Sequence, residues 1–213
     1  MNPAIDAHNQ ILGEKVVKAL EKNNYNAFYV ANRAAAVEKV LSMIAPGETV
    51  GFAGSWTNKE LGLPELISQK GNEIYDHNQP GLTPEQAMAL RRKEIFADVL
   101  ITSTNAITMD GQLVNTDGAC NRVASMMFGP KKMIVILGVN KITSDVHAAI
   151  ERIKTYAAPI NNKRLEKPNP CTQTGVCMNC QGNTRICNVT TIHHKRPPTI
   201  DSTVIIIGED LGF

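Results

Sequence analysis

The sequence predicts an α/β fold: a mostly parallel sheet flanked by helices, with an Asp-Gly β-hairpin and an irregular cysteine-rich C-terminal segment. Strand and helix signals alternate from Tyr25 to Tyr156, which is typical of a parallel sheet wrapped by helices. Two short apolar runs, Asp98–Ser103 and Met133–Gly138, have the composition of strands buried on both faces. Between them, Asp110-Gly111 is the dipeptide that most readily forms the type I′ turn of a hairpin.

The first part of the chain predicts two helices and two strands. Apolar residues recur at helical spacing from about Pro3 to Lys22 and again from Arg33 to Ile44, for which Asn32 is the expected N-cap. Strands are expected at Tyr25–Val30 and Thr49–Ala53.

Two capping boxes predict where the next helices begin. Thr57 with Glu60 would cap one helix, and Thr83 with Gln86 would cap another. A short strand at Glu73–Asp76 is expected between them.

Helical composition at Arg122–Phe128 predicts a further helix, capped by a side chain of Thr116-Asp117. Another helix is expected from Ser144 to Tyr156, followed by an irregular polar stretch, Pro159–Pro170. A last buried strand is expected within Ser202–Gly208.

Composition limits the classes of function. The chain has 213 residues, is 43% hydrophobic and carries a net charge of +2, so charge does not argue for a nucleic-acid partner. Its longest apolar run, Met133–Val139, is too short to span a membrane. The first residues show no secretory signal, and we expect a cytoplasmic protein. One domain over residues 1–213 is expected, with a metal-binding cysteine-rich segment at 157–200 within it.

Four of the five cysteines are clustered: Cys171, Cys177, Cys180 and Cys187. In a chain without an export signal, such clustering favours a metal over disulfides. Zinc sites usually contain two pairs of cysteines, each pair separated by two residues, whereas here only Cys177 and Cys180 have this spacing. An iron–sulfur cluster is therefore favoured, with zinc and no metal as the alternatives. The pair His193-His194 is expected outside the site, in solvent.

Two further reactive side chains stand apart from this cluster. Cys120 is interpreted as a small buried residue, with a nucleophile or a fifth sulfur near the cluster as alternatives. His77 is interpreted as a surface residue of a loop, with an acid or base role as the alternative.

Loops after the predicted strands carry the candidate ligand-binding residues. After Thr49–Ala53, Gly54 and Ser55 would let an anion approach the backbone. Asn140 and Lys141 would lie beyond the carboxyl end of the strand at 133–138. Chemistry usually collects at this edge of a parallel sheet.

Three segments resemble the LUD-domain proteins, the family that includes one component of the bacterial lactate-utilisation system. They are VGFAGSWT, ITSTNAITMDGQLVNTDGACNRVASMMFGPKKMIVILGVNKI and CTQTGVCMNCQGNTRICNVT, and the resemblance covers nearly the whole chain. It implies a fold similar to ribose-phosphate isomerases, glucosamine-phosphate deaminases and CoA transferases, whose strand-end loops surround a small anionic substrate. The cysteine segment is present in many family members and absent from others.

The resemblance assigns candidate residues position by position. Asp110, Asp117 and Lys141 would be catalytic, and the ligand-binding set would be Gly54, Ser55, Thr57, Asn105, Gly111, Asn115, Gly118, Asn121, Arg122 and Asn140. Because no counterpart of the transferases' catalytic glutamate is evident, isomerase or transferase activity does not carry over.

Three functions remain open. The first is an iron–sulfur component linked to oxidation of L-lactate or another small 2-hydroxy acid, in which Arg122 and Lys141 neutralise the ligand and oxidoreductase or iron–sulfur subunits are partners. The second is a stand-alone sugar-phosphate or acyl isomerase or transferase with structural zinc. The third is an assembly subunit without a reaction of its own. The sequence decides neither whether the chain is itself catalytic nor whether it forms a homo-oligomer.

Overall fold

The computed structural model describes residues 2–213. Its strands are β1 (Asn26–Val30), β2 (Val50–Phe52), β3 (Ile74–Asp76), β4 (Val99–Thr102), β5 (Ala106–Thr108), β6 (Leu113–Asp117), β7 (Lys132–Gly138), β8 (Ile142–Thr143), β9 (Val189–His193) and β10 (Asp201–Ile207). Its α-helices are α1 (Pro3–Lys22), α2 (Arg33–Ser42), α3 (Trp56–Glu60), α4 (Leu63–Gln69), α5 (Pro84–Ile95), α6 (Asn121–Met127), α7 (Val146–Arg152), α8 (Ala158–Arg164) and α9 (Cys171–Thr174). A 3₁₀ turn spans Val139–Lys141, and a π-helical turn, Ile153–Ala157, joins α7 to α8.

The larger sheet has six strands in the order β1-β10-β7-β4-β2-β3, and every neighbouring pair is parallel. Side chains alternate between its two faces along β7: Met133, Val135 and Leu137 pack into one apolar core, whereas Ile134 and Ile136 pack into another. Both faces are therefore buried, as the apolar runs predict, and the predicted fold class is confirmed.

A smaller sheet has the order β8-β5-β6-β9 and includes the predicted hairpin of β5 and β6. The expected type I′ turn is wrong, because Gly111 has a φ of +82° while Asp110 stays at negative φ. Hydrogen bonds from Gly111 N to Thr108 O and from Thr108 N to Gln112 O close a three-residue loop, which is a type I turn followed by a glycine bulge.

The C-terminal segment contains more regular structure than the sequence indicates. Strand β9 pairs residue for residue with β6, from Leu113 opposite His193 to Asp117 opposite Val189. His193 is accordingly buried instead of solvated. Part of the stretch expected to be irregular is α8, whose Pro159 lies in the first turn, where a missing N–H costs little.

Four predicted caps can be compared with the structure, and Asn32 caps α2 as expected, its Oδ1 accepting from Ala35 N at 3.0 Å. Thr83 and Gln86 form the expected capping box of α5. Helix α3 is capped instead by Ser55, which accepts from Asn58 N, so Thr57 lies inside the helix. Helix α6 follows Cys120, and Asp117 caps it from a distance, its Oδ2 accepting from Val123 N at 3.0 Å. Within residues 2–213, no helix combines the length and apolarity needed to cross a membrane.

Candidate functional site

A cavity of about 390 Å³ opens at the carboxyl edge of the larger sheet. Because β2, β4 and β7 are parallel, the loops that follow them meet there, as do the chain segments before α6 and around α8. Of the predicted site residues, those that line the cavity are Gly54, Ser55, Asn105, Asp117, Gly118, Asn121, Arg122 and Lys141.

Lys141 is buried at the inner wall of this cavity. Its Nζ donates to Thr57 Oγ1 and to Ser103 Oγ, each at 3.1 Å, and makes no ion pair with a carboxylate in the described part of the chain. Burial lowers the pKa of Lys141 to about 7, and the guanidinium groups of Arg152 and Arg122 act in the same direction. A lysine in this state exchanges protons readily near neutral pH.

All N–H donors of Arg122 are hydrogen-bonded to other groups of the protein. Its Nε and Nη2 donate to Asp117 Oδ1 at 3.0 and 2.5 Å, and Nη1 donates to Ser103 O and to Asn115 Oδ1. Nη2 also donates to Asn105 Oδ1 and Thr116 O. Since a guanidinium has five N–H groups, none remains for an anion, and Arg122 instead holds the loops after β4 and β6 together.

His77 lines the cavity, and the fully buried Glu94 supports it from behind the wall. Glu94 Oε1 accepts from the backbone N of His77 at 3.1 Å and lies 2.6 Å from His77 Nδ1, while Glu94 Oε2 accepts from Asn121 Nδ2 at 3.1 Å. A carboxylate bonded to Nδ1 assigns the proton to that nitrogen and leaves Nε2 as the acceptor. His77 Nε2 lies beside Gly54, where an added Cβ would come within 3.2 Å of it.

Cationic and aromatic side chains form the outer wall. Arg91 Nε is buried there without a hydrogen-bond partner among residues 2–213. Arg164 lies over the Trp56 ring at 5.6 Å, and Trp56 stacks with Phe213 at 6.2 Å between ring centroids. Arg91 therefore has hydrogen-bonding capacity left for an anion, as does Arg164, whose Nη1 makes no hydrogen bond among residues 2–213.

The four clustered cysteines line a second, smaller cavity. All are free thiols, and Arg185 orders the loop around them by donating to Cys180 O at 2.6 Å and to Cys187 O at 2.9 Å. The pKa of Cys187 is raised to about 11, mainly by burial and further by the nearby Cys177 and Cys171. Cys187 and Ile186 line both cavities, so the cysteines adjoin the polar site.

The spacing of the ligand atoms distinguishes the cysteines from another group. Among residues 2–213, one group of three possible metal ligands, Asp76, His77 and Glu94, has its ligand atoms within 4.8 Å of one another. No three cysteine sulfurs in this range lie that close together. In that group of three, Asp76 accepts from Asn78 and Glu94 accepts from His77, so hydrogen bonds account for its arrangement.

Several predicted site residues do not reach the cavity. Asp110 and Gly111 lie in the hairpin turn, where Asp110 accepts from Gln112 and Gly111 packs against the backbone of α1. Asn140 holds the C-terminus by donating to Gly212 O and accepting from Leu211 N. The buried Asn115 and Thr57 lie behind the wall, where they bond to Arg122 and Lys141, and Cys120 also lies outside the lining.

Sequence reasoning missed other side chains at the site. The sequence indicates a surface position for His77, yet its side chain is 8% exposed. Glu94 and Arg91 carry no signal, because both stand in the charged stretch at the end of α5 and look like solvent-facing helix residues. The signal that could have revealed Glu94 is its position on the face of α5 that turns toward the protein interior.

The model of the LUD domain matches residues 13–207. The chain belongs to the LUD-domain family. Membership supports a role related to lactate utilisation, in agreement with the resemblance of the three sequence segments. No curated protein matches the chain.

Two solved structures are similar to this LUD-domain protein to different extents. The crystal structure of a DUF162 family protein from Deinococcus radiodurans is similar over 93% of this chain and 97% of that chain, with a TM-score of 0.53 and 11% identity, which shows a common fold. Ribose 5-phosphate isomerase A from Neisseria gonorrhoeae matches 54% of each chain with a TM-score of 0.34 and 14% identity, too low for an argument about function.

Proposed function

We propose that this LUD-domain protein binds a small 2-hydroxy acid, such as L-lactate, or the corresponding 2-oxo acid in the cavity, and carries an iron–sulfur cluster on its four clustered cysteines. The observation that carries the proposal is the shared wall: Cys187 and Ile186 line both the polar cavity and the cysteine cavity. A redox centre held there would lie next to the ligand.

The cavity offers the groups that such an acid needs. Arg91, which lines the cavity and makes no side-chain hydrogen bond among residues 2–213, would take the carboxylate, for which a guanidinium is the best-matched donor. His77 Nε2, oriented by Glu94, would accept a hydrogen bond from the 2-hydroxyl group of the bound acid. Lys141 would supply positive charge near the reacting carbon when it is protonated.

The spacing of the four cysteine sulfurs argues against a preformed zinc site. Zn–S bonds of about 2.3 Å place the sulfurs of a tetrahedral site about 3.8 Å apart. Here the sulfurs share one cavity but do not gather in threes within 4.8 Å. We infer that Cys171, Cys177, Cys180 and Cys187, which line one cavity, would hold the cluster, which when bound would supply one-electron transfer. Oxidoreductase or iron–sulfur subunits would then be the electron partners.

Anaerobic reconstitution tests the redox half of the proposal. The protein is incubated with iron and sulfide, and iron, sulfide, zinc and the visible spectrum are measured. We expect bound iron and a broad visible absorption, both lost in Cys177→Ala. Cys120→Ala is the matched control, because Cys120 lies outside the cysteine cavity, and it should keep both signals. Iron-free, colourless protein would contradict the proposal, and stoichiometric zinc would favour a structural metal site.

A further inference from the structure

We propose that Lys141 forms a reversible imine with the carbonyl carbon of a small 2-oxo acid bound in the cavity. The inference rests on the proposed function and deepens it, because it names the 2-oxo acid as the form that the site holds covalently. A 2-hydroxy acid has no carbonyl carbon at that position and would bind without a bond to the lysine.

Among residues 2–213, Lys141 is the one buried lysine, and it has no carboxylate partner. Lys131, Lys132 and Lys154 each pair with a carboxylate within 3.5 Å. Lys141 Nζ has two hydroxyl partners instead, Thr57 Oγ1 and Ser103 Oγ. An ammonium group in such a place is poorly compensated, so the neutral amine, which is the nucleophilic form, is favoured.

Nearby charges reinforce this preference. The guanidinium groups of Arg152 and Arg122 disfavour the ammonium form, and Glu60 is the opposing carboxylate, with burial as the largest effect. A pKa of about 7 leaves a substantial fraction of Lys141 uncharged at neutral pH. The geometry and the charge distribution thus point in the same direction.

Gly212 and Phe213 lie beside this part of the cavity. A Cβ on Gly212 would lie 3.2 Å from Lys141 Nζ and would collide with Thr57 Oγ1, and the next residue, Phe213, lines the cavity. The amine is therefore enclosed by protein on one side and faces the cavity on the other. A ligand bound in the cavity would therefore reach Nζ from that open side.

The step balances without a further reactant. The Nζ lone pair forms a C–N bond to the carbonyl carbon, and the carbonyl oxygen gains a proton to give a carbinolamine. The C–O bond then breaks, the oxygen leaves as water, and the nitrogen loses its second proton to give the C=N bond. No electrons are exchanged, and the hydroxyl groups of Ser103 and Thr57, which bond to Nζ, are placed to pass these protons.

Reductive trapping tests the imine. Wild-type protein is incubated with pyruvate and cyanoborohydride, and the modified lysine is identified by peptide mass mapping. We expect one reduced pyruvate adduct on Lys141, its loss in Lys141→Met, and its retention in Lys131→Met, since Lys131 is solvent-exposed. Mapping of the wild-type protein gives the result even if Lys141→Met does not fold. An adduct spread over surface lysines, or none on Lys141, would overturn the inference.

Calorimetric titration with L-lactate and with pyruvate separates the two proposals. Binding of both acids without an adduct on Lys141 would overturn the imine and leave the proposed ligand class in place. If neither acid binds, both the imine and the proposed ligand class are overturned. Binding of both with the adduct on Lys141 supports both.

Discussion

Glu94 is fully buried, and its Oε1 lies 2.6 Å from Nδ1 of His77, a residue of the loop between β3 and the helix that carries the glutamate. The second carboxylate oxygen is taken by Asn121. One buried side chain thus orients the imidazole and ties it to the start of α6. If His77 turned away from the cavity, the buried carboxylate would lose one of its three hydrogen bonds.

Glu94→Ala should therefore lower stability as well as release His77. The change leaves the backbone N of His77 and Asn121 Nδ2 without their acceptor, and we expect a loss of about 2 to 4 kcal/mol in the free energy of unfolding. Urea denaturation measures it. Glu38→Ala, an exposed site on α2, is the control and should change stability by less than about 0.5 kcal/mol. Equal effects of the two variants would contradict the role given to Glu94.

Arg91→Gln should weaken the binding of L-lactate and pyruvate. Hydrogen bonds to charged groups contribute about 1.5 to 3 kcal/mol, so the dissociation constant should rise by about tenfold or more. Isothermal titration gives the constant. The neighbouring Arg92 is exposed and absent from the cavity lining, so Arg92→Gln should bind as the wild type does. If both variants bind unchanged, Arg91 does not hold the carboxylate.

Arg122→Lys should destabilise the protein although it keeps the charge. A lysine ammonium has three donors and cannot reproduce the bonds to Asp117, Asn105 and Asn115. We expect a loss of about 3 kcal/mol or more in the free energy of unfolding. Arg33→Lys changes a more exposed pair with Glu209 and should cost less than about 1 kcal/mol. A fully stable Arg122→Lys protein would show that the loops do not depend on the guanidinium.

Lys141 should make stability depend on pH in a defined direction. Its pKa is about 7 in the folded protein and 10.5 for the free side chain, so between these values the unfolded state binds more protons. The cost of burying Lys141 is fully present below about pH 7 and disappears as the pH rises toward about 10. Lys141→Met should thus be more stable than the wild type near pH 7 by several kcal/mol, and the difference should shrink with rising pH in denaturation curves. A constant difference would mean that the pKa is not lowered.

Much of the fold could be predicted from local patterns. Strands β4 and β7 are apolar except for Thr102 and Lys132 at their ends, because both faces of a parallel strand are covered, and this pattern is visible in the sequence. Strand β9 has no such apolar pattern, because it pairs with β6, which lies more than 70 residues earlier in the chain, and several of its side chains are exposed. Its existence depends on a partner that local composition cannot reveal.

The candidate site, like the fold, could be predicted from the sequence only in part. Asp110 has the residue type of a catalytic group, but polar residues are also what turns require, and the structure places it in a turn. Arg122 looked available for a ligand because a sequence does not show which carbonyl and amide oxygens will surround a side chain. His77 and Glu94, 17 residues apart, become partners only when α5 packs beside β3.

The sequence alone determined the alternating strands and helices, the sheet edge where polar loops collect, and the cluster of four cysteines, because periodicity, turn residues and ligand spacing are local properties of a chain. Tertiary structure alone decided which side chains face the cavity, which cations retain free donors, and that the cysteines adjoin the polar site. Burial and hydrogen-bond partners arise from segments distant in sequence, and these set the charge state of Lys141 and the orientation of His77.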